Sequence, residues 1–420
     1  MLEGARRVGK STIVKEFAKN EYKSFILIDF ANITKNMLSV FDDIANLDVF
    51  FLRLQTETEI TLYKRESAII FDEIQLFPKA RQTIKYLVQD GRYDYIETGS
   101  LISIKKNVDS ILIPSEERKI EVFPMDYEEF CDAVGYNYSN LKKLYELHRS
   151  IGQSTNRTLL RNFRTYIAIG GMSQAVDAFV KNKSFNEIDE TKKDIINLYK
   201  DDLRKIDKSG RLSAMYESIP TQLAAKKNRF SFGYSLGKKT KKDDERLFDL
   251  IDSKIVNCCY YLNDVSPSLN MYIDLTRFKL YVGDSGLFVS MLFNQEGKEY
   301  RDIYKKLLSN KLNLNLGYLY ENAIAQIIAS SNRNLYCFDF VDDESKKKYE
   351  IDFLLNDKSK VIPIEVKSGQ TKRHESIDEF GKKYSKVMSQ KYLISEKDYF
   401  KEKDLINLPY YLLPFLLERV

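Results

Sequence analysis

The most constraining feature of the sequence is the glycine-rich segment GARRVGKS at residues 4–11. It matches the pattern GxxxxGK[ST], in which glycines let backbone N–H groups curl around phosphate oxygens. A lysine at this point brings charge to the β- and γ-phosphates, and the following hydroxyl can contact Mg²⁺. The helix predicted for STIVKEFAKN begins at once and aims its N-terminal dipole at the anion. The predicted nucleotide-binding residues here are Gly4, Gly9, Lys10, Ser11 and Thr12.

An acidic pair further along the chain supports this interpretation over a chance Gly/Lys turn. SAIIFDEI predicts a buried strand that ends at Asp72 and Glu73. Asp72 is placed to bind Mg²⁺ at the carboxyl end of that strand, and Glu73 is placed to polarise an attacking water. YDYIETGS predicts another strand, and Thr98 at its end is a candidate γ-phosphate sensor or, alternatively, a helix cap. The pattern predicts ATP and Mg²⁺ as ligands, and Glu73 favours hydrolysis over binding alone.

The start of the chain is unusual, because only Met1, Leu2 and Glu3 precede the glycine-rich loop. In an open parallel sheet the strand before such a loop is central and buried on both faces. Its loss would leave the neighbouring strands unpaired and the glycines unanchored. The sequence therefore predicts a truncated start and weak ATP binding by this chain.

Length and composition limit the class of protein. At 420 residues the chain predicts two or three domains rather than one core. Hydrophobic residues make up 43% and charged residues 30%, a balance that excludes wholesale disorder. The net charge of +5 is small for this length, so it permits a nucleic-acid partner without arguing for one.

The inventory of reactive side chains excludes several kinds of site. The chain has four cysteines without CxxC spacing and only two histidines, His148 and His374. Zinc ribbons, His-rich metal sites and histidine-based catalysis are therefore disfavoured, and any metal must be held by oxygen. No run approaches the roughly 20 apolar residues that span a bilayer, and no targeting signal is visible. We expect a cytoplasmic protein without membrane contact.

The pattern of apolar residues divides the chain into three parts. Residues 1–135 alternate short apolar runs with helical patterns, which is typical of α/β proteins with a doubly wound parallel sheet. Residues 136–286 are helical at first, and then give a helix, the strand-like FSFGYSL, a second helix and the strand-like NCCYYLND. That order suits a winged helix, and a small α/β packing module that binds no nucleic acid is the alternative. Residues 287–420 combine a long helix, GYLYENAIAQIIASS, with several strands.

A hairpin predicted in the third part brings two carboxylates together. If DKSK forms the turn, Asn356 faces Val361, and counting outward puts Asp352 opposite Glu365. Opposed residues point to the same face of a hairpin. Pro363 removes a ladder donor, so the register is left open by one residue. The alternative is an ordinary charged face exposed to solvent.

The same hairpin supplies candidate catalytic groups. Alternation along VIPIEVK puts Lys367 on the face of Glu365, and Glu350 would then oppose Lys367. Asp352, Glu365 and Lys367 could hold Mg²⁺, lower the pKa of a bound water and position it near a scissile phosphate. Glu321, inside the long helix, is a further candidate ligand of the metal.

Several of these motifs together resemble a known family. GARRVGKST, AIIFDEIQ, ETGS and KIEVFPMDYEEF resemble a large family of prokaryotic AAA-type P-loop ATPases whose C-terminal part is a domain of unknown function. YIAIGGMSQAV, IPTQLAAKKNRFSF and FKLYVGDSGLF are similar to landmarks of that second part. The resemblance implies ATP binding and hydrolysis. The acidic set of the third part resembles the PD-(D/E)xK nuclease superfamily, in which a helix carrying Glu precedes a β-hairpin carrying Asp and ExK.

Two functions follow from these motifs. In the first, the P-loop domain drives a conformational change and the third part cleaves nucleic acid with Mg²⁺. In the second, the chain is a nucleotide-controlled switch whose C-terminal part docks a protein or nucleic-acid partner without cleavage. AAA-type ATPases often complete their site with an arginine from a neighbouring subunit, so the resemblance also allows a homo-oligomer.

Overall fold

The computed structural model describes residues 1–100, 117–225, 229–293, 299–310, 317–369 and 374–420. These residues form two compact units, each with its own apolar core. The N-terminal unit comprises Met1–Phe123 and Asp252–Lys254, and the C-terminal unit comprises Pro124–Ile251 and Ile255–Val420. Among the described residues, no helix has both the length and the apolar character needed to cross a bilayer.

The N-terminal unit is built on a five-stranded parallel sheet with the strand order β2-β3-β4-β1-β5. The strands are β1 (Leu2–Gly4), β2 (Ser24–Asp29), β3 (Ser67–Asp72), β4 (Asp94–Ser100) and β5 (Ile120–Glu121). The helices are α1 (Lys10–Glu21), α2 (Lys35–Val40), α3 (Leu47–Thr58) and α4 (Pro78–Asp90). Short 3-10 turns lie at Phe41–Asp43 and Ile74–Leu76.

Helices cover both faces of this sheet, as the residues of β3 show. Successive side chains of a strand point to opposite faces. Ile69 and Phe71 belong to an apolar cluster with residues of α2, α3 and α4. Ile70, between them, packs with Val14 and Ala18 of α1. The doubly wound α/β fold predicted from the apolar runs is confirmed.

The strand before the glycine-rich loop is present as a three-residue element. Leu2 pairs with Thr98 of β4 on one side and with Ile120 of β5 on the other. The backbone N–H of Val122 donates to the carbonyl of Glu3 at 2.7 Å. This corrects the expectation that the neighbours of the strand are left unpaired. Three residues are too few to show a periodic pattern, so the sequence did not reveal the strand.

The C-terminal unit begins with a helical region. Its first helices are α5 (Tyr127–Val134), α6 (Asn140–Glu146), α7 (Gln153–Ile169), α8 (Ser173–Val180) and α9 (Phe185–Ile206). Next come α10 (Arg211–Ala224), α11 (Phe232–Ser235) and α12 (Asp243–Asp252). FSFGYSL therefore contains a four-residue helix, and the strand expected there is wrong. A short aromatic run can form either a strand or a helix, and its packing against neighbouring segments decides which of the two it forms.

Two sheets complete this unit. The first has the order β7-β6-β8-β9, with β6 (Val256–Leu262), β7 (Ile273–Val282), β8 (Leu335–Val341) and β9 (Lys348–Ile351). The second has the order β10-β11-β12-β14-β13, with β10 (Phe353–Asp357), β11 (Lys360–Val366), β12 (Lys391–Ser395), β13 (Phe400–Glu402) and β14 (Leu405–Pro409). The other helices are α13 (Ser285–Leu292), α14 (Glu299–Leu308), α15 (Gly317–Ser330), α16 (Glu375–Lys383) and α17 (Leu413–Arg419), with 3-10 turns at Leu269–Tyr272 and Tyr410–Leu412.

The division expected between residues 286 and 287 differs from this arrangement. Strand β6 pairs in parallel with β8, and Cys259 lies opposite Leu335. One sheet therefore contains strands from both the second and the third predicted parts. The order of three helices and an antiparallel strand pair in residues 211–282 remains compatible with a winged helix and with a packing module.

Glycines hold three segments of the C-terminal unit close together. A Cβ on Gly171 would lie 2.0 Å from the carbonyl oxygen of Met125, and one on Gly286 would lie 2.1 Å from that of Ile169. The carboxylate of Asp284 accepts a hydrogen bond from the backbone N–H of Gly171 at 2.5 Å. The glycines in YIAIGGMSQAV and FKLYVGDSGLF are therefore needed for backbone contact.

Candidate functional site

The glycine-rich loop connects β1 to α1 through backbone conformations that favour glycine. Gly4 has a φ of +154°, and a Cβ there would lie 2.2 Å from the carbonyl oxygen of Val122. Gly9 has a φ of 107° and precedes the first residue of α1, with no side chain capping the helix. The first N–H groups of a helix have no partner within it, so they are open to an anion. Thr12, a predicted binding residue, is exposed on α1.

Lys10 is held over this loop. Its side-chain Nζ donates to the carbonyl oxygens of Gly4, at 3.1 Å, and Ala5, at 2.8 Å. Only 5% of the residue is exposed. Burial lowers the pKa of Lys10 to about 8, and the nearby charges of Glu73 and Asp72 act in the opposite direction. A phosphate bound in the loop would supply the counter-charge that this ammonium lacks.

Asp72 gathers the hydroxyls of the nucleotide site at one edge of the sheet. Ser11 Oγ donates to Asp72 Oδ1 at 2.7 Å, and Thr98 Oγ1 donates to the same oxygen. The backbone N–H of Glu73 donates in turn to Thr98 Oγ1 at 3.2 Å. Asp72 and Thr98 lie at the same end of the adjacent parallel strands β3 and β4. The structure thus brings together Ser11, Asp72 and Thr98 as the motif spacing predicted.

The Ser11 and Asp72 pair fits a magnesium ion. Both groups offer oxygen, which Mg²⁺ prefers, and Mg²⁺ is usually held by one or two protein oxygens together with substrate phosphates. Their 2.7 Å contact shows that both reach one point beside the loop. When bound, the ion would neutralise charge on the β- and γ-phosphates.

Glu73 lies directly beside this point. It adopts a left-handed backbone conformation with a φ of 54°, which ends β3 and starts the 3-10 turn Ile74–Leu76. The side-chain amide of Gln75 donates to its carboxylate. The charge of Glu73 acts to raise the pKa of Lys10, so the two groups lie within electrostatic range of each other. Gln75 had not been predicted as part of the site.

A buried ion-pair cluster lies on the other face of β4. Glu97 precedes Thr98, so the two side chains point to opposite faces. Arg81 contacts Glu117 at 2.8 Å and Glu97 at 3.6 Å, and no side chain of the three exposes more than 5%. Burial raises the pKa of Glu97 to about 7, and the charge of Glu117 adds to this. In the sequence, the glutamate inside the strand-forming run YIETGS is the feature that indicates this buried cluster.

The hairpin formed by β10 and β11 has the predicted register. Asn356 pairs with Val361, and Pro363 takes its place in the ladder without shifting it. Asp352 lies one residue before β10, where the chain passes from β9 into β10. Its Oδ2 accepts a hydrogen bond from the backbone N–H of Val366 at 2.7 Å. The register around the candidate metal site is therefore confirmed for the ladder residues.

Glu365 is buried beside Asp352, with 4% of its side chain exposed. Its Oε1 pairs with the ammonium of Lys367, and its Oε2 has no hydrogen-bond partner in the described part of the chain. Burial raises the pKa of Asp352 to about 8, and the like charges of Glu321 and Glu365 add to this. An orphaned carboxylate oxygen among like charges fits a cation. Asp352 and Glu365 are the residues that would hold it.

The expected pairing of Glu350 with Lys367 is wrong. Glu350 lies in β9 and pairs with Asp339 of β8. The strand predicted from KYEIDFLL breaks at Asp352, so its two halves join different sheets. Glu350 is consequently turned towards the first sheet, where Tyr261 Oη donates to its Oε1 at 2.8 Å.

Glu321, on α15, is bound by two residues of β7 that the sequence did not single out. Lys279 Nζ donates to Glu321 Oε1 at 3.1 Å, and Tyr281 Oη donates to the same oxygen at 2.5 Å. Burial alone would lower the pKa of Lys279, but Glu321 and neighbouring groups raise it well above its usual range. Within the described ranges, no group of three or more His, Cys, Asp or Glu side chains is arranged to hold a metal ion.

Comparison with protein families identifies three regions of the chain. Residues 1–131 match the model of an AAA domain. This region of the chain is similar to an AAA domain. Residues 160–298 match a domain of unknown function, DUF8612, and residues 316–412 match another, DUF4143. The match to an AAA domain agrees with the glycine-rich loop and the parallel sheet of the N-terminal unit, which support a nucleotide-binding P-loop module.

Comparisons with whole proteins add less. No curated protein matches the chain. Among solved structures, Orc1 of Aeropyrum pernix in complex with DNA is 12% identical, with 74% of this chain and 85% of that chain covered and a TM-score of 0.29. Cdc6p from Pyrobaculum aerophilum is 15% identical, with 74% and 88% covered and a TM-score of 0.24. No ligand or partner is carried over from these structures.

Proposed function

We propose that the N-terminal unit binds ATP with Mg²⁺ and hydrolyses it. The observation that carries this proposal is the convergence of Ser11 and Thr98 on one oxygen of Asp72, beside the buried ammonium of Lys10. In this assignment Lys10 binds the β- and γ-phosphates, Ser11 and Asp72 hold the ion, and Thr98 senses the γ-phosphate. Glu73 accepts the proton of the attacking water.

The neighbours of Glu73 suit that role. The amide of Gln75 holds its carboxylate as an acceptor, and the turn after β3 fixes its backbone. A carboxylate that is oriented in this way can take a proton as a water approaches the γ-phosphate. Gln75 is then a positioning residue, because it acts through Glu73.

The test is ATP binding and turnover by the wild-type protein and two variants. Lys10→Ala should weaken ATP binding by about tenfold or more, because it removes a charge from the phosphates. Glu73→Gln should bind ATP with unchanged affinity and turn it over at least about 100-fold more slowly. Glu57→Gln, at an exposed position on α3, is the matched control and should behave as wild type. Wild-type turnover by Glu73→Gln would overturn the assigned role.

For the C-terminal unit we propose a candidate activity, the Mg²⁺-dependent cleavage of a nucleic-acid phosphodiester. The orphaned Oε2 of Glu365, buried beside Asp352, supports it. These two carboxylates would hold the ion, and Lys367 would face the scissile phosphate. Bound Mg²⁺ would lower the pKa of the attacking water.

This candidate is tested with single- and double-stranded DNA and RNA in Mg²⁺ or Mn²⁺, with and without ATP. Asp352→Ala and Lys367→Ala should abolish cleavage, whereas Asp357→Ala, at the turn of the same hairpin, should retain it. Failure of the wild-type protein to cut any of these substrates would contradict cleavage. The proposal for ATP hydrolysis would be unaffected by that result.

The second candidate for this unit is docking without cleavage, as in a nucleotide-controlled switch. It is favoured by the contact of Glu321 with Lys279, which removes one predicted acid from the metal group. The partner would be a nucleic acid or a protein, and a homo-oligomer in the cytoplasm remains part of this proposal. Lys10→Ala should then change partner binding in the presence of ATP, and unchanged ATP affinity together with unchanged partner binding would exclude the switch.

A further inference from the structure

The acidic cluster of the C-terminal unit contains one cation that the proposed cleavage does not use. Lys279 lies on β7 with only 8% of its side chain exposed. Its Nζ lies 3.1 Å from Glu321 Oε1 and 2.6 Å from Glu350 Oε1. A buried ammonium is costly unless it is paired and hydrogen-bonded, and here two carboxylates from different elements provide the pairing.

The two carboxylate oxygens that face Lys279 are also bound by phenols. Tyr281 Oη donates to Glu321 Oε1 at 2.5 Å, and Tyr261 Oη donates to Glu350 Oε1 at 2.8 Å. Each oxygen therefore accepts from one ammonium and one hydroxyl. A metal ion could bind one of these oxygens only by displacing a donor, either the ammonium or the phenol. Glu365 differs, because its Oε2 has no such partner in the described structure.

The charges of the cluster leave it negative overall. It contains the carboxylates of Glu321, Glu350, Asp352 and Glu365 and the ammonium groups of Lys279 and Lys367. When all are ionised, two negative charges remain, which one divalent ion would balance. Each lysine balances one carboxylate, so one of the remaining charges lies with Glu321, Glu350 and Lys279 and the other with Asp352, Glu365 and Lys367.

We propose that the ammonium of Lys279 takes the position of a cation between Glu321 and Glu350, so that Glu321 is not a metal ligand. Any divalent ion in this unit is then held by Asp352 and Glu365. The inference rests on the proposed function only in taking Asp352 and Glu365 as the ligands of the divalent ion. It holds whether the unit cleaves nucleic acid or only docks a partner.

Mn²⁺ binding to the nucleotide-free protein, measured by calorimetry, tests the ligand assignment. Glu365→Gln should weaken Mn²⁺ binding by about tenfold or more, and Glu321→Gln should leave it within about twofold of wild type. Loss of binding in Glu321→Gln equal to that in Glu365→Gln would overturn the proposal. An unchanged affinity in Glu365→Gln would equally contradict it.

Metal rescue tests the role of the ammonium itself. Lys279→Met should lower the unfolding temperature, and Mn²⁺ should restore at least half of the loss by entering between Glu321 and Glu350. The double variant with Glu321→Gln should not be rescued. Lys192→Met is the control, since Lys192 is fully buried and its ammonium lies 3.9 Å from the carboxylate of Asp189 rather than bridging Glu321 and Glu350.

Two results would contradict the proposal: no rescue of Lys279→Met by Mn²⁺, or equal rescue of Lys192→Met. If Lys279→Met fails to fold, the comparison of Glu321→Gln with Glu365→Gln still decides. Neither experiment measures ATP turnover or cleavage. Failure here is therefore distinguishable from failure of the proposed functions.

Discussion

At the scale of single residues, Glu97 is a carboxylate whose charge state is controlled by burial. One guanidinium, that of Arg81, faces both Glu97 and Glu117 in the interior of the N-terminal unit. Burial raises the pKa of Glu97 from an ordinary 4.5 to about 7. Between these values the folded state binds more protons than the unfolded state, so stability falls as pH rises. The stabilisation of the folded state by the proton on Glu97 is complete below pH 4.5 and is lost above pH 7.

Glu97→Gln should therefore reduce the pH dependence of stability. A shift of this size corresponds to about 3 kcal/mol of free energy of unfolding, which the wild-type protein loses between about pH 4.5 and pH 7 and the variant does not. Urea unfolding followed by circular dichroism at several pH values measures it. The exposed Glu57→Gln is the control and should keep the wild-type dependence. Identical pH profiles for wild type and Glu97→Gln would show that burial does not hold the proton.

At the scale of elements, glycine contacts decide how closely helices of the C-terminal unit approach one another and the segment before α5. A Cβ on Gly171 would overlap the backbone oxygen of Met125, at 2.0 Å, and backbone cannot move aside as a flexible side chain does. The same peptide donates to the buried carboxylate of Asp284. Accommodating one methyl group here requires movement of α7 or of the segment before α5.

Gly171→Ala should destabilise the protein by about 3 kcal/mol or more, at the upper end of overpacking. The control is Gly233→Ala on α11, where an added Cβ meets nothing within 4 Å and the effect should stay within about 0.5 kcal/mol. Chemical denaturation of both variants measures the difference. Equal stability of the two variants would mean that the close approach at Gly171 is not rigid.

The elements also show how far the sequence predicts the fold. Local sequence patterns predicted two elements correctly. The apolar run that ends at Asp72 is β3, and the turn at DKSK sets the register that brings Asp352 near Glu365. Long-range pairing was not visible, because β6 joins β8 through residues as far apart as Cys259 and Leu335. The periodic pattern within a strand does not show which distant strand it pairs with.

The candidate sites show the same limit. Lys10 and Ser11 were predictable because the phosphate loop is a continuous motif with a helix behind it. Lys279 was not, since its partner Glu321 is 42 residues away and a lysine on a strand ordinarily marks an exposed face. Burial of a charge is decided by the packing of several elements. It becomes visible only in the folded structure.

At the scale of the whole molecule, the chain joins a unit that is similar to an AAA domain to a larger unit with an acidic cluster of its own. Both candidate functions require ATP in the N-terminal unit to change the C-terminal unit. A ligand can shift a conformational equilibrium only by its difference in affinity for the two states. The relevant quantity is therefore the change in the C-terminal unit that depends on bound nucleotide.

Hydrogen exchange with and without Mg-ATP measures this change directly. At about 100 times its Kd, ATP stabilises the state that binds it by about 2.7 kcal/mol, so amides of α1 and the end of β3 should exchange up to about 100-fold more slowly. We expect exchange in α15 and β11 to change as well, because these elements carry Glu321 and Glu365. Lys10→Ala should abolish both effects. Protection confined to the N-terminal unit of the wild-type protein would contradict coupling, because ATP would then leave the acidic cluster unchanged.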